Sequence, residues 1–157
     1  MKNNIKKKYW IGIGICFLIL IVFYSIAANY LHDKNAVPQL CSEKKCFTVE
    51  LARTSAETQQ GLMYRESMAE DHGMLFIFSK SDFYDFRMKN TLIPLDMIWI
   101  DNQFKVVRIL TVQPCKVDPC EVYRPEVFAN YVVELNAGIA AKYGIVEGSL
   151  IKFQNIK

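Results

Sequence analysis

The chain is short of the residues that carry most enzymatic chemistry. Its 157 residues include only two histidines, His32 and His72, and seven glycines. A Ser-His-Asp or Cys-His catalyst would have to use His72, which sits in the polar turn Glu70-Asp71-His72-Gly73 without a G-x-S-x-G elbow. A histidine-based metal centre fails for the same shortage, so no metal and no cofactor is expected. Glycine loops that cradle phosphate are absent, because Gly144 and Gly148 merely flank a turn. A basic stripe is missing too. The formal charge of +3 misleads, since Lys2, Lys6, Lys7 and Lys8 crowd the first eight residues and the remainder is close to neutral. Nucleic acid, which requires a concentrated positive face, is therefore not an expected partner. The 52% apolar and 22% charged contents exclude intrinsic disorder.

What is present begins with an address. Residues 9–31 run 23 positions without a charge. A helix of that length measures roughly 35 Å and spans a ~30 Å hydrocarbon core with some tilt. Tyr9, Trp10, Tyr24 and Tyr30 suit the interfacial levels. With residues 1–8 as a cytoplasmic basic tail, 9–31 reads as a signal-anchor that puts the C-terminal domain outside the cytoplasm. The alternative is a signal peptide cleaved near Ser25-Ile26-Ala27, giving a secreted domain. Residues 32–45 then read as a linker, punctuated by Pro38, and 46–157 as an extracytoplasmic β domain.

Four cysteines follow the apolar run: Cys41, Cys46, Cys115 and Cys120, in two C-x4-C pairs. An even count in an exported domain points to two disulfides. Local pairing is the simplest of three connectivities, and a pairing between the two loops would constrain more of the unfolded chain. The spacing suits neither a zinc knuckle nor a thioredoxin-like C-x2-C.

The rest of the chain is patterned as short strands. Phe47 to Leu51 alternates with period two, Gly73 to Phe78 is an apolar run of strand length, and Met97–Ile100 and Phe104–Val112 flank a hairpin signal. Asn130 to Leu135 and Leu150 to Phe153 add two more. Thr54-x-x-Glu57 is a capping box opening a helix over Ser55–Met63, and Asn136 reads as the N-cap of a second helix, Ala137–Tyr143, ended by Gly144. The expected fold is mainly β, a jelly-roll-like sandwich or small barrel with one or two short helices, preceded by one transmembrane helix.

Five motifs occur in order: Gly61-Leu62-Met63-Tyr64-Arg65, Gly73-Met74-Leu75-Phe76, Met88 through Asp96, Glu134-Leu135-Asn136-Ala137-Gly138, and Gly144-Ile145. The set resembles the bacterial and archaeal family called domain of unknown function 192. The resemblance implies a mainly β fold, export or membrane anchoring, and no established reaction. Where the family usually has Trp before Met88 this chain has Arg87, and where it often has Asp after Gly148 this chain has Ser149.

The most suggestive polar cluster is Lys89, Asn90 and Thr91, an ammonium, an amide and a hydroxyl ahead of a proline-containing loop, with Asp96, Arg65 and Glu134 as neighbours in the pattern. Together they could bind a carboxylate, a phosphate or a sugar. Alternatively Lys89 pairs with Asp96 or Glu134, and Asn90 and Thr91 serve the loop backbone. Met63, Met74 and Met88 could offer thioethers to Cu(I), but beside Leu62, Leu75 and Phe76 they read as core filler. Two functions follow. One is a membrane-tethered binding module for an unknown small molecule or envelope component, using Lys89, Asn90, Thr91, Asp96, Arg65 and Glu134. The other is an envelope hydrolase with Asp96 or Glu134 as general base and Lys89 as electrostatic stabiliser.

Overall fold

The computed structural model describes residues 18–27 and 36–156. Residues 18–27 are helical. The remainder of the expected 9–31 anchor and the basic tail 1–8 lie outside the described residues. Among the described residues no helix is long and apolar enough to cross a membrane. The described residues 37–156 belong to one compact unit.

Seven strands make it up: β1 (Gln39–Cys41), β2 (Cys46–Ala52), β3 (His72–Asp82), β4 (Leu95–Ile100), β5 (Val106–Val112), β6 (Ala129–Asn136) and β7 (Lys152–Gln154). Two short helices, α1 (Ser55–Gln60) and α2 (Ile139–Tyr143), complete the set. All strands belong to one sheet in the order β5-β4-β6-β3-β2-β1-β7, a half-barrel rather than two stacked sheets. The sheet's ends approach through the segment before β7. Val106 N–H donates to Ser149 O at 2.9 Å, Gly148 N–H to Val106 O at 2.8 Å, and Ile151 N–H to Phe104 O at 2.9 Å. Of the expected sandwich and barrel, the barrel is thus the nearer description.

Every strand pair is antiparallel except β2–β3. A parallel pair needs a crossover of a dozen or more residues, and the chain uses residues 53–71, with α1 inside, to make it. The Thr54–Glu57 capping box forms as its spacing demands, and Gly61, at φ 45°, ends α1 three residues earlier than the periodicity predicts. β1 lies within the expected linker, pairing with both β2 and β7, so the folded unit starts ahead of Cys46.

Because successive side chains on a strand point to opposite faces, the sheet separates two apolar layers. On one face Leu75, Ile98, Val133 and Leu135 pack with Phe47, Val49 and the Ile139–Ala140 turn of α2. On the other, Phe76, Met97, Trp99 and Val132 pack with Leu62, Met88 and Ile93. Met74 and Met88 belong to this second layer, as core filler should. β4 is buried along its whole length because both layers cover it. Gly73, opposite Leu135, brings β3 and β6 together where a Cβ would stand 2.5 Å from Leu135 Cδ2 and 2.6 Å from Glu134 O.

The cysteines pair locally. Cys41–Cys46 closes the β1–β2 hairpin at residues opposite each other in register, and Cys115–Cys120 closes the loop after β5.

Candidate functional site

The six residues proposed as one polar face divide into three groups. Asp96 faces the layer that holds α2. It is fully buried on β4, and its carboxyl oxygens accept from Thr111 Oγ1 at 2.6 Å and from Ala140 N–H at 2.8 Å. This second bond satisfies a free amide in the first turn of α2. Asn136 was expected to cap that helix, but its amide donates to Met68 O at 2.9 Å. The N-cap position is Gly138, without a side-chain cap bond. Asp96 is therefore an anchor of the fold, and the expected Lys89–Asp96 pairing does not form.

Arg65 and Asn90 are braces. Arg65 grips Glu50 of β2 with both terminal nitrogens, at 2.6 Å for one of the two bonds, and the guanidinium holds the Glu50 carboxyl below its ordinary pKa. Asn90 and Tyr64 clamp each other. Asn90 Nδ2 donates to Tyr64 Oη at 2.8 Å, while Tyr64 N–H donates to Asn90 O at the same distance. Both residues hold positive φ, at 58° and 62°, so the clamp joins two tight turns.

Lys89, Thr91 and Glu134 come together. They line a cleft of about 450 Å³, within the usual range for small-molecule sites. One bank is the C-terminal end of α1 and the turn after it, Thr58 to Met63; the other is the segment Tyr84 to Lys89. Phe76 and Phe78 of β3 form an apolar wall, and Phe78 stacks on Tyr84 with ring centroids 3.5 Å apart. Phe86 meets Phe76 and Trp99 edge-on, which ties the second bank to the core.

Glu134 lies on β6 between Met74 and Met97 and is 5% exposed. Its carboxyl has no hydrogen-bond partner and no opposing charge among the described residues. Burial alone pushes its pKa up to about 8. At neutral pH it is a protonated acid able to donate one hydrogen bond and accept others. Thr91, 6% exposed, shares the cleft with it. The expected Lys89–Glu134 pair is also absent. Lys89 meets Asp118 of the disulfide loop instead, at 3.3 Å and well exposed.

Three contributors escaped the sequence pattern. Arg87 lines both this cleft and a more open depression beside it that holds Lys89, Asp118, Pro119 and Cys120. Gln60 lines the first bank, and Asp85 lines the second while accepting from Arg124 Nε at 2.8 Å. The alternation Tyr84-Asp85-Phe86-Arg87-Met88-Lys89, apolar inward and polar outward, was the available signal for this bank. Cys115, Asp118 and Cys120 cluster as metal-type donors would, but both cysteines are disulfide-bonded and offer no thiolate.

The sequence profile of the DUF192 family, described as an uncharacterized ACR, matches residues 38–153. The chain belongs to the DUF192 family. Among curated proteins none matches. Two solved structures resemble this DUF192 chain. One, from Sinorhizobium meliloti and provisionally described as a transcription regulator, is 33% identical with a TM-score of 0.68; the match covers 76% of this chain and 93% of that one. The other, a protein of unknown function from Novosphingobium aromaticivorans, is 32% identical with a TM-score of 0.67, covering 74% and 84% respectively.

Proposed function

We propose that this DUF192 protein is a membrane-tethered extracytoplasmic binding module that seats a small polar molecule or envelope component in the Glu134 cleft. The observation that carries the site is Glu134 itself. A nearly buried carboxyl costs stability unless something compensates it, and this one faces a cleft with its hydrogen-bonding capacity unused. A ligand supplies the missing partner. The tether is supported by the uncharged 9–31 run behind a basic tail, and export by two disulfides, which oxidising compartments favour.

The hydrolase alternative would now rest on Glu134 as an acid with a raised pKa. Asp96 is on the other face, and the cleft's second carboxylate, Asp85, is held by Arg124. That arrangement favours binding over acid–base catalysis.

The test is a thermal-shift panel of sugars, amino acids and organic acids on the full chain in detergent. Ligands of the native state raise its melting temperature. Gln60→Trp, on an exposed bank of the cleft, should abolish the shifts without lowering the melting temperature of the free protein. Shifts that survive Gln60→Trp would place the ligand elsewhere. For the tether, a membrane-impermeant thiol reagent applied to intact cells after reduction should label Cys41, Cys46, Cys115 or Cys120; labelling only after lysis contradicts it.

A further inference from the structure

Resting on the cleft reading above, we propose that the ligand is a carboxylated sugar, its carboxylate held by Arg87, its ring against the Phe78–Tyr84–Phe86 wall, and its hydroxyls taken by Thr91 and Glu134.

Of the cleft's lining groups, Asp85 is neutralised by Arg124, and Lys89 is paired with Asp118. Arg87 makes no ion pair among the described residues and is exposed at the rim. With Glu134 protonated at neutral pH the surplus is a single positive charge, and the planar guanidinium suits a carboxylate through two parallel hydrogen bonds. A dianionic phosphate fits less well. The helix end beside the cleft is the C-terminus of α1, where carbonyl oxygens repel additional negative charge.

The remaining lining selects a sugar over a simple acid. Phe78, Tyr84 and Phe86 offer an apolar wall to the C–H face of a pyranose ring. Thr91, Glu134 and the exposed amide of Gln60 offer donors and acceptors around it. An aliphatic acid would leave the buried Thr91 and Glu134 groups unpaired, at a cost the sugar avoids. Arg87 and Lys89 also border the adjoining depression, so a longer acidic glycan could continue past the first ring.

The experiment is calorimetric titration of the full chain in detergent with D-galacturonate, D-glucuronate, D-galactose and inorganic phosphate. At least one uronate should bind, roughly tenfold or more tighter than galactose, the ratio one charge-assisted contact supplies. Arg87→Gln should reduce uronate affinity to the level of galactose with the free protein's melting temperature unchanged. Arg87→Lys should restore part of it. Galactose binding as tightly as both uronates, or uronate binding indifferent to Arg87→Gln, overturns the proposal while leaving the cleft as a ligand site if Gln60→Trp still blocks binding. Phosphate equalling the uronates overturns the sugar assignment. Failure of both uronates to bind at millimolar concentration overturns the proposal outright, and the wider panel then decides the cleft reading independently.

Discussion

Asp96 and Glu134 stand on adjacent strands one register step apart, Asp96 opposite Leu135 and Glu134 opposite Met97, yet their carboxyls enter opposite layers of the protein. That single step gives them different surroundings. Asp96 meets Thr111 and the first turn of α2, whereas Glu134 meets an open cleft.

Removing the Asp96 carboxyl leaves a buried amide and a hydroxyl without acceptors. Asp96→Ala is expected to cost roughly 2–4 kcal/mol in denaturant unfolding. Asp96→Asn should cost less, because the Thr111 hydroxyl can turn and accept from the new amide. Ligand affinity of the folded fraction should stay unchanged in both. A selective loss of binding without loss of stability would return Asp96 to the site.

Glu134 sets a pH dependence whose sign follows from its raised pKa. Between its ordinary value of 4.5 and about 8 the folded protein holds a proton that the unfolded chain releases. Stability therefore falls as pH rises through that window, by about 1.4 kcal/mol per unit at most, and levels off above it. Glu134→Gln should flatten the slope and raise the unfolding free energy at pH 8. Guanidinium unfolding at pH 5, 6.5 and 8 checks both, and a mutant as steep as wild type would contradict the assignment.

Arg65 and Lys89 are predicted to separate stability from binding in a different way. Both ion pairs are substantially exposed, and such pairs contribute about 0–1 kcal/mol. Lys89→Met should therefore leave the melting temperature of the free protein nearly unchanged while weakening ligand response. Arg65→Met should cost no more than about 1 kcal/mol and leave ligand response intact. A drop of several degrees for Lys89→Met with ligand response preserved would make Lys89 structural.

The Cys115–Cys120 link closes a short loop, for which the chain-entropy estimate is roughly 2 kcal/mol. Replacing both by Ser should lower stability by about that amount and, by freeing Asp118 from its position, reduce the Lys89 contact. Peptide mapping under non-reducing conditions should recover Cys41–Cys46 and Cys115–Cys120; crossed links between the loops would contradict the connectivity.

Local features were legible in the sequence because their causes are local. The Thr54–Glu57 capping box, the left-handed end of α2 at Gly144 and the alternation of Phe47 to Leu51 each depend on neighbours a few residues away. The parallel β2–β3 pairing does not, and neither does the anchoring of α2, where the acceptor for Ala140 N–H comes from a residue 44 positions earlier. Asn136 looked like the cap because nothing nearby announces Asp96. The site suffered similarly: Lys89, Asn90 and Thr91 are consecutive, but one borders the cleft mouth, one clamps Tyr64, and one lies buried inside. Arg87 was visible only as a residue differing from the family's usual Trp.

The most direct test of the cleft as the binding site is NMR of the carboxyl carbons of Glu134 and Asp96 and the methyls of Thr91 and Thr111, recorded on the full chain in micelles during titration with a ligand from the panel. The two pairs report the two faces of one sheet. Glu134 and Thr91 should shift in step with occupancy while Asp96 and Thr111 stay still. Shifts confined to Asp96 and Thr111, or a bound ligand that moves none of the four, would contradict the account.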